Sequence, residues 1–495
     1  MPSGELSTAL PIGFFGYLSR MALLQRSARA PISLERFRDL IMQSPATRPE
    51  HADDAAAYKD TRYGALLDKA WPIILANAAV PLLGLADTAI IGNVATTADL
   101  GAIALGALIF SFVYWSFGFL RMSTTGFVAA AAGAQDNEEL RAILGRALSV
   151  ALGLGFLIIV LQEPIAWAAL ELFSASDQVE RVTRGYYDLR IWGAPATLSL
   201  FVLMGVLIGL GLSKQLLLAQ LFMNGLNIGL DLLFAGVYDM GAPGVALGTA
   251  LTEWATLGLG LFIVVRALNA RGRTPRFLQW RRIFQREALL GMLSSNVDIM
   301  IRTLVLIASF SFFADQSARF GEVVLASNHI LLQLVSFAAF FLDGYAFVVE
   351  ALVGRAKGAN HALLFRLAVR QSTRLALVTA LLLATLLLLA GDFLIALLTD
   401  IDPVRAAAAP YLGLAALYIA VSFAAFQLDG VFIGMGATRP MRNAALQAIV
   451  IFFAAWWLLT PALGVAGLWW AMIFYVIARA ATLYRYYGKL SASLL

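Results

Sequence analysis

Long apolar runs, separated by glycine, proline and short charged turns, dominate the chain. A helix needs about 20 apolar residues to cross the hydrocarbon core of a bilayer. About twelve runs approach that length, centred near residues 82, 112, 153, 199, 224, 254, 303, 337, 380, 420, 450 and 472. A membrane barrel would instead alternate apolar and polar positions around a polar interior. The pattern predicts an all-α polytopic membrane protein with about twelve transmembrane helices.

The basic residues orient these spans. Connections of one parity carry no Lys or Arg in residues 93–99, 238–244 and 460–464. Connections of the other parity carry Arg141 and Arg146, then Lys214, then the cluster Arg266, Arg271, Arg273, Arg276, Arg281, Arg282 and Arg286. Arg355, Lys357, Arg366 and Arg370 follow, and then Arg439 and Arg442. Because basic loops stay in the cytoplasm, both termini are expected there. Arg181 and Arg184 fall on the outer side, accompanied by Glu171, Asp177 and Glu180. The expected organisation is a cytoplasmic tail over 1–62, a first lobe over 63–268, a basic linker over 269–286, a second lobe over 287–488 and a short tail over 489–495. An apolar stretch at 6–24 has no basic segment before it, so it reads as tail or interfacial helix rather than signal peptide.

Composition narrows the chemistry. Of 495 residues, 60% are hydrophobic and 14% charged, against about 25% charged in a soluble protein. The absence of cysteine excludes disulfides, thiolate metal sites and cysteine nucleophiles. The three histidines, His51, His329 and His361, are scattered, which argues against a multi-His metal centre. There is no Walker-type loop and no Gly-x-Ser-x-Gly elbow. The net charge of +5 is accounted for by the cytoplasmic loops, so no nucleic-acid partner is implied.

The chain also resembles itself at an offset of 225 residues. Ser111 and Phe112 fall on Ser336 and Phe337, Gly133 and Ala134 on Gly358 and Ala359, Arg141 on Arg366, and Asp177 on Asp402. Gly205, Gly209 and Gly211 fall on Gly430, Gly434 and Gly436. Six helices per copy give two pseudo-symmetric lobes of like orientation. That is the layout of a secondary transporter that binds substrate between its lobes.

Ionisable groups inside a membrane are costly, and each is a functional candidate. The deepest are Asp87, Asp231, Glu253, Asp298, Arg302, Asp343 and Asp429. Asp87 follows Pro81, which frees a carbonyl and permits a bend. Asn227 and Asp231 stand one turn apart on one helix face, offering oxygens to a proton or small cation. Asp298 and Arg302 have the spacing of a self-satisfied ion pair. Asp343 and Asp429, each in a Leu-Asp-Gly triplet, either pair with Arg302 or line a cavity. Glu253 has the weakest case, Glu350 is expected near the cytoplasmic end, and Arg121 is a candidate to neutralise an acid of the first half.

The run Val80-Pro81-Leu82-Leu83-Gly84-Leu85-Ala86-Asp87-Thr88 resembles the first helix of MATE (multidrug and toxic compound extrusion) transporters. Leu120-Arg121-Met122-Ser123-Thr124-Thr125-Gly126, Asn296-Val297-Asp298-Ile299-Met300-Ile301-Arg302-Thr303 and Leu342-Asp343-Gly344-Tyr345-Ala346-Phe347 resemble the DinF branch. The likeness covers about residues 63–488. It implies a bacterial inner-membrane antiporter that exports amphipathic or cationic compounds in exchange for protons, without a cofactor and as a monomer. The family's N-lobe site then corresponds to Asp87, Asn227, Asp231 and Thr249, with Asp298, Arg302, Asp343 and Asp429 as a C-lobe charge network. Leu83 stands where family members carry a tyrosine, which favours the proton over the sodium version of the site. Asp298 does not evidently replace the seventh-helix glutamate of sodium-coupled relatives. The alternatives are sodium-coupled efflux and a lipid or polysaccharide-precursor flippase, the latter favouring a cationic cavity. A major-facilitator transporter would need an acidic-basic loop that the 133–146 stretch lacks.

Overall fold

The computed structural model describes residues 52–94, 97–172, 177–272 and 279–494, with the side chains at 52–53, 80–98, 172 and 177 outside the described set. Helix α1 (Ala52–Thr61) precedes the first lobe, which consists of α2 (Tyr63–Val94), α3 (Thr97–Trp115), α4 (Phe119–Gly133), α5 (Asn137–Val160), α6 (Gln162–Leu172), α7 (Asp177–Arg190), α8 (Ala194–Gly209), α9 (Ser213–Asp231) and α10 (Gly241–Ala270). After the short α11 (Trp280–Ile283) come α12 (Arg286–Arg319), α13 (Glu322–Gly358), α14 (Ala362–Leu398), α15 (Asp402–Ala408), α16 (Leu412–Gly434), α17 (Thr438–Leu463) and α18 (Val465–Ala492). Eleven helical stretches among the described residues are long and apolar enough to cross a membrane. The 32-residue α2 completes the expected twelve. Every predicted run centre falls within one of these helices.

Many large apolar side chains face outward, among them Val160 at 75% exposure, Leu389 at 84% and Trp457 at 69%. In water such patches would drive association; in a bilayer they are the lipid-facing surface. The interior is packed by Phe313, Phe452, Trp469 and Tyr475 in the second lobe. Its buried Trp469 ring N–H donates to Asn328 Oδ1 at 2.9 Å, and Asn328 Nδ2 donates to Ser317 Oγ at 2.8 Å. The Trp469 and Asn328 side chains are thereby paired, as burial favours, while the buried Tyr475 hydroxyl has no partner among the described residues.

The 225-residue repeat is visible in local structure. The turns before α5 and α14 use left-handed residues at Gln135 (φ 57°) and Asn360 (φ 52°), and those before α9 and α17 use Gly211 (φ 71°) and Gly436 (φ 63°). Asp136 caps α5 by accepting from Glu138 and Glu139 N–H, and His361 caps α14 by accepting from Leu364 N–H. The lobes approach each other through matched glycines. A Cβ on Gly133 would overlap the Arg355 carbonyl, and one on Gly358 would overlap the Ala130 carbonyl. These are equivalent contacts read from either lobe, and only the missing side chain permits them.

Two short segments cross between lobes. Helix α1, within the expected tail, precedes the first lobe yet packs on α14 of the second. Asp60 pairs with Arg355 at 2.9 Å and Asp54 faces His361 at 3.6 Å. Helix α11 precedes the second lobe and packs on α5 of the first. There Arg146 donates to the Arg282 and Ile283 carbonyls at 2.8 and 3.1 Å, and Arg282 pairs with Glu138 at 2.9 Å. The linker arginines Arg273 and Arg276 lie outside the described residues.

Candidate functional site

In the first lobe, α9 carries a polar stripe in an otherwise apolar helix. Gln220, Asn224, Asn227 and Asp231 recur at spacings that keep them on one face. Gln220 Nε2 donates to Asn224 Oδ1 at 3.0 Å, and Asn224 Nδ2 donates to the Ala79 carbonyl of α2 at 3.0 Å. Deeper in the lobe, Asn227 and Asp231 are 1% and 0% exposed. Asn227 Nδ2 lies 3.3 Å from both Asp231 Oδ1 and Thr249 Oγ1 on α10. The Thr249 hydroxyl donates in turn to the Val245 carbonyl at 2.7 Å. Helix α10 comes this close because it presents Gly248, where a Cβ would stand 2.5 Å from Asp231 Oδ1. The backbone widens into a π-turn over Leu232–Val237 immediately after Asp231, an irregularity frequent at functional sites. The expected trio Asn227, Asp231 and Thr249 is therefore assembled. Asp87 lies in α2, and its side chain is outside the described residues.

The second lobe holds a different arrangement. Asp429 on α16 accepts from both Arg302 on α12 and Arg479 on α18. All three are less than 10% exposed. Asp343 has Arg121, Arg302, Arg479 and Asp429 as its charged neighbours. Asp298 and Arg302, expected to pair with each other, do not. Asp298 instead accepts from Thr438 Oγ1 at 2.9 Å and Arg442 Nη1 at 2.7 Å, both in the first turns of α17. The N-terminal end of a helix favours a carboxylate, and this one supplies two side-chain donors as well. Arg302 is left free to reach Asp429.

Two further buried pairs and one exposed cluster were not legible, in whole or part, from the sequence. Glu350, expected near the cytoplasmic end, is 1% exposed between the lobes. It faces Arg121 of the opposite lobe at 3.5 Å, whose guanidinium lies 4.0 Å over the Phe347 ring. Glu253 is clamped by Arg190 through two bonds of 2.6 and 2.7 Å. Arg184, one of the outer-side exceptions, is neutralised by Glu163 and by Asp188, the latter at 2.9 Å. A basic residue one helix turn from an acid was the available signal for Arg184. No local spacing announces Arg190 or Glu350.

A helical membrane protein of two repeated lobes, each enclosing buried carboxylates, has the architecture of a secondary transporter. A family model described as MatE matches residues 72–233 and 303–458. The chain is 38% identical over 425 residues to DNA damage-inducible protein F of Escherichia coli (strain K12), covering 85% of this chain and 90% of that one. It is 26% identical over 440 residues to the probable multidrug resistance protein NorM of Pasteurella multocida, covering 84% and 91%. Among solved structures, one described as the outward-facing conformation of a multidrug resistance MATE family transporter matches with a TM-score of 0.78 at 18% identity, covering 90% of this chain and 99% of that one. The chain belongs to the MATE family, in its DinF branch, and is a multi-pass membrane transporter rather than an enzyme.

Proposed function

We propose that this protein exports amphipathic or cationic organic compounds from the cytoplasm of a bacterium in exchange for protons, by rocking of its two lobes. Asp87, Asn227, Asp231 and Thr249 form the coupling site in this reading. The observation that carries it is the buried α9–α10 cluster. Asn227 Oδ1 is enclosed without a partner among the described residues, and a buried acceptor left unmade costs about 1–3 kcal/mol. A carboxyl that gains a proton becomes a donor able to satisfy it. A cycle of protonation then changes how α2 and α9 hold each other, and the proline of α2 lets that helix bend in response.

The orientation with both termini cytoplasmic puts the Gly133 and Gly358 approaches on the cytoplasmic side, so the conformation is closed to the cytoplasm. Sodium coupling is the second reading, disfavoured by Leu83. The flippase reading is weakened because Arg121, Arg302 and Arg479 each face an acid rather than an open phosphate site.

The test is efflux of a cationic dye from vesicles reconstituted with the protein, under separately imposed proton and sodium gradients. A pH gradient should drive efflux in the wild type, and Asp87→Asn and Asp231→Asn should abolish it. Efflux driven by sodium alone, or retained pH-driven efflux in Asp87→Asn, overturns the mechanism. Headgroup translocation without dye efflux favours the flippase.

A further inference from the structure

A cavity of about 260 Å³ opens between the first turns of α2 and the start of α9, lined in part by Asp68, Lys69, Gly211, Ser213 and Lys214. We propose that it binds a phosphate group, either inorganic phosphate or the headgroup of an anionic phospholipid.

The first N–H groups of a helix have no partner within it, and together with the helix dipole they favour an anion. No side chain caps α9, whose N-cap position is Leu212. A second observation is independent of the helix end. Ser213 is 6% exposed and lines the cavity, and its hydroxyl makes no hydrogen bond among the described residues. A phosphate oxygen in the cavity would accept from that hydroxyl. Lys214, also lining the cavity, is in no ion pair among the described residues. Lys69 is partly engaged, with its ammonium 3.8 Å from Asp60 Oδ1 and donating to the Asp60 carbonyl at 3.3 Å. Asp68 is the opposing charge in the lining, one carboxylate against two ammonium groups and a helix terminus.

The repeat shows what such a terminus requires. Thr438 occupies the place of Ser213 in the second lobe, and there the anion is built in as the Asp298 carboxylate, which accepts from Thr438 and Arg442. The matching turn of α2, residues 73–75, holds only Ile and Leu. The first lobe thus keeps the hydroxyl at Ser213, has Leu217 where the second has Arg442, and lacks the acid, so Lys214 is the cation at this terminus. In the orientation proposed above, the cavity lies at the cytoplasmic boundary of the membrane, within reach of both phosphate sources. The site does not depend on which ion drives transport.

The full-length protein would be titrated with inorganic phosphate by calorimetry. In parallel, lipid retention would be measured by native mass spectrometry after exposure to phosphatidylglycerol or phosphatidylcholine vesicles. Ser213→Ala and Lys214→Gln would be compared with the wild type, with unliganded melting confirming that each variant folds. Loss of one charge-assisted hydrogen bond should weaken binding about tenfold. Phosphate binding that falls in both variants identifies a free-phosphate site. Selective retention of phosphatidylglycerol that falls in both identifies a headgroup site. Absence of both, or binding equal in wild type and folded variants, overturns the proposal.

Discussion

Asp429 offers a quantitative test of how the second lobe is held together. One carboxylate serves two guanidiniums there, and Arg302, Asp429 and Arg479 are 9%, 7% and 6% exposed. Removing one partner of a buried pair costs about 3–5 kcal/mol, because the other charge stays buried without compensation. Asp429→Asn strands two such charges, with Asp343 remaining as a charged neighbour of both. Arg302→Gln instead leaves Asp429 and Arg479 as a matched pair, so its cost should be that of lost charged hydrogen bonds, about 1.5–3 kcal/mol. Charge counting then makes a less obvious prediction for the double variant. Asp429→Asn with Arg302→Gln strands one guanidinium rather than two, so it should be more stable than Asp429→Asn alone. The assay is thermal unfolding of the purified protein at one detergent and lipid composition, read as the order of apparent melting temperatures. The expected order is wild type, Arg302→Gln, the double variant, then Asp429→Asn. A double variant that melts below Asp429→Asn would refute the shared-carboxylate account.

The lobe contact and the crossing segments make their own predictions. Gly358→Ala places a methyl group against the Ala130 carbonyl, an overpacking cost of about 1–3 kcal/mol that falls only on the closed arrangement. Spin labels at Lys214→Cys and Arg439→Cys, in a chain with no native cysteine, should report a longer distance in that variant; an unchanged distribution would count against the contact. Glu350→Gln removes the acid facing Arg121 across the lobes and should lengthen the same distance. Under the proposed rocking of the lobes, joining Asp60→Cys to Arg355→Cys with a short bis-thiol reagent should stop dye efflux reversibly, because it ties the segment leading into the first lobe to the second. Full efflux by the cross-linked protein would show that α1 does not need to move.

The spans were legible because a bilayer imposes one strong requirement, a run of apolar residues long enough to cross it, and that requirement is local. The repeat was legible for a related reason: both copies solve the same turns with the same residue types, as Gly211 and Gly436 do. Partner choice among the charges was less legible. Spacing alone suggested that Asp298 would meet Arg302, yet a helix terminus 140 residues away along the chain supplies Thr438 to Asp298. Glu350 was expected near the cytoplasmic end, but nothing in its spacing indicated that it is buried opposite Arg121 of the other lobe. The stripe of Gln220, Asn224, Asn227 and Asp231 was partly visible, and its spacing could have revealed all four. These corrections sharpen a difference among the buried acids. On α9 the inward polar residues are amides and one carboxylate, with no basic residue among them. In the second lobe Asp298 and Asp429 are each bound by arginine, and Glu350 faces one across the interface. A carboxylate clamped by arginine gives up its charge only at the expense of a buried cation, whereas Asp231 lies beside the Asn227 amide on a helix face that carries no arginine. The α9 site thus differs from Asp298 and Asp429 of the second lobe, and also from the Arg190–Glu253 pair of the first. In the proposed mechanism this difference is the reason to look for coupling at α9.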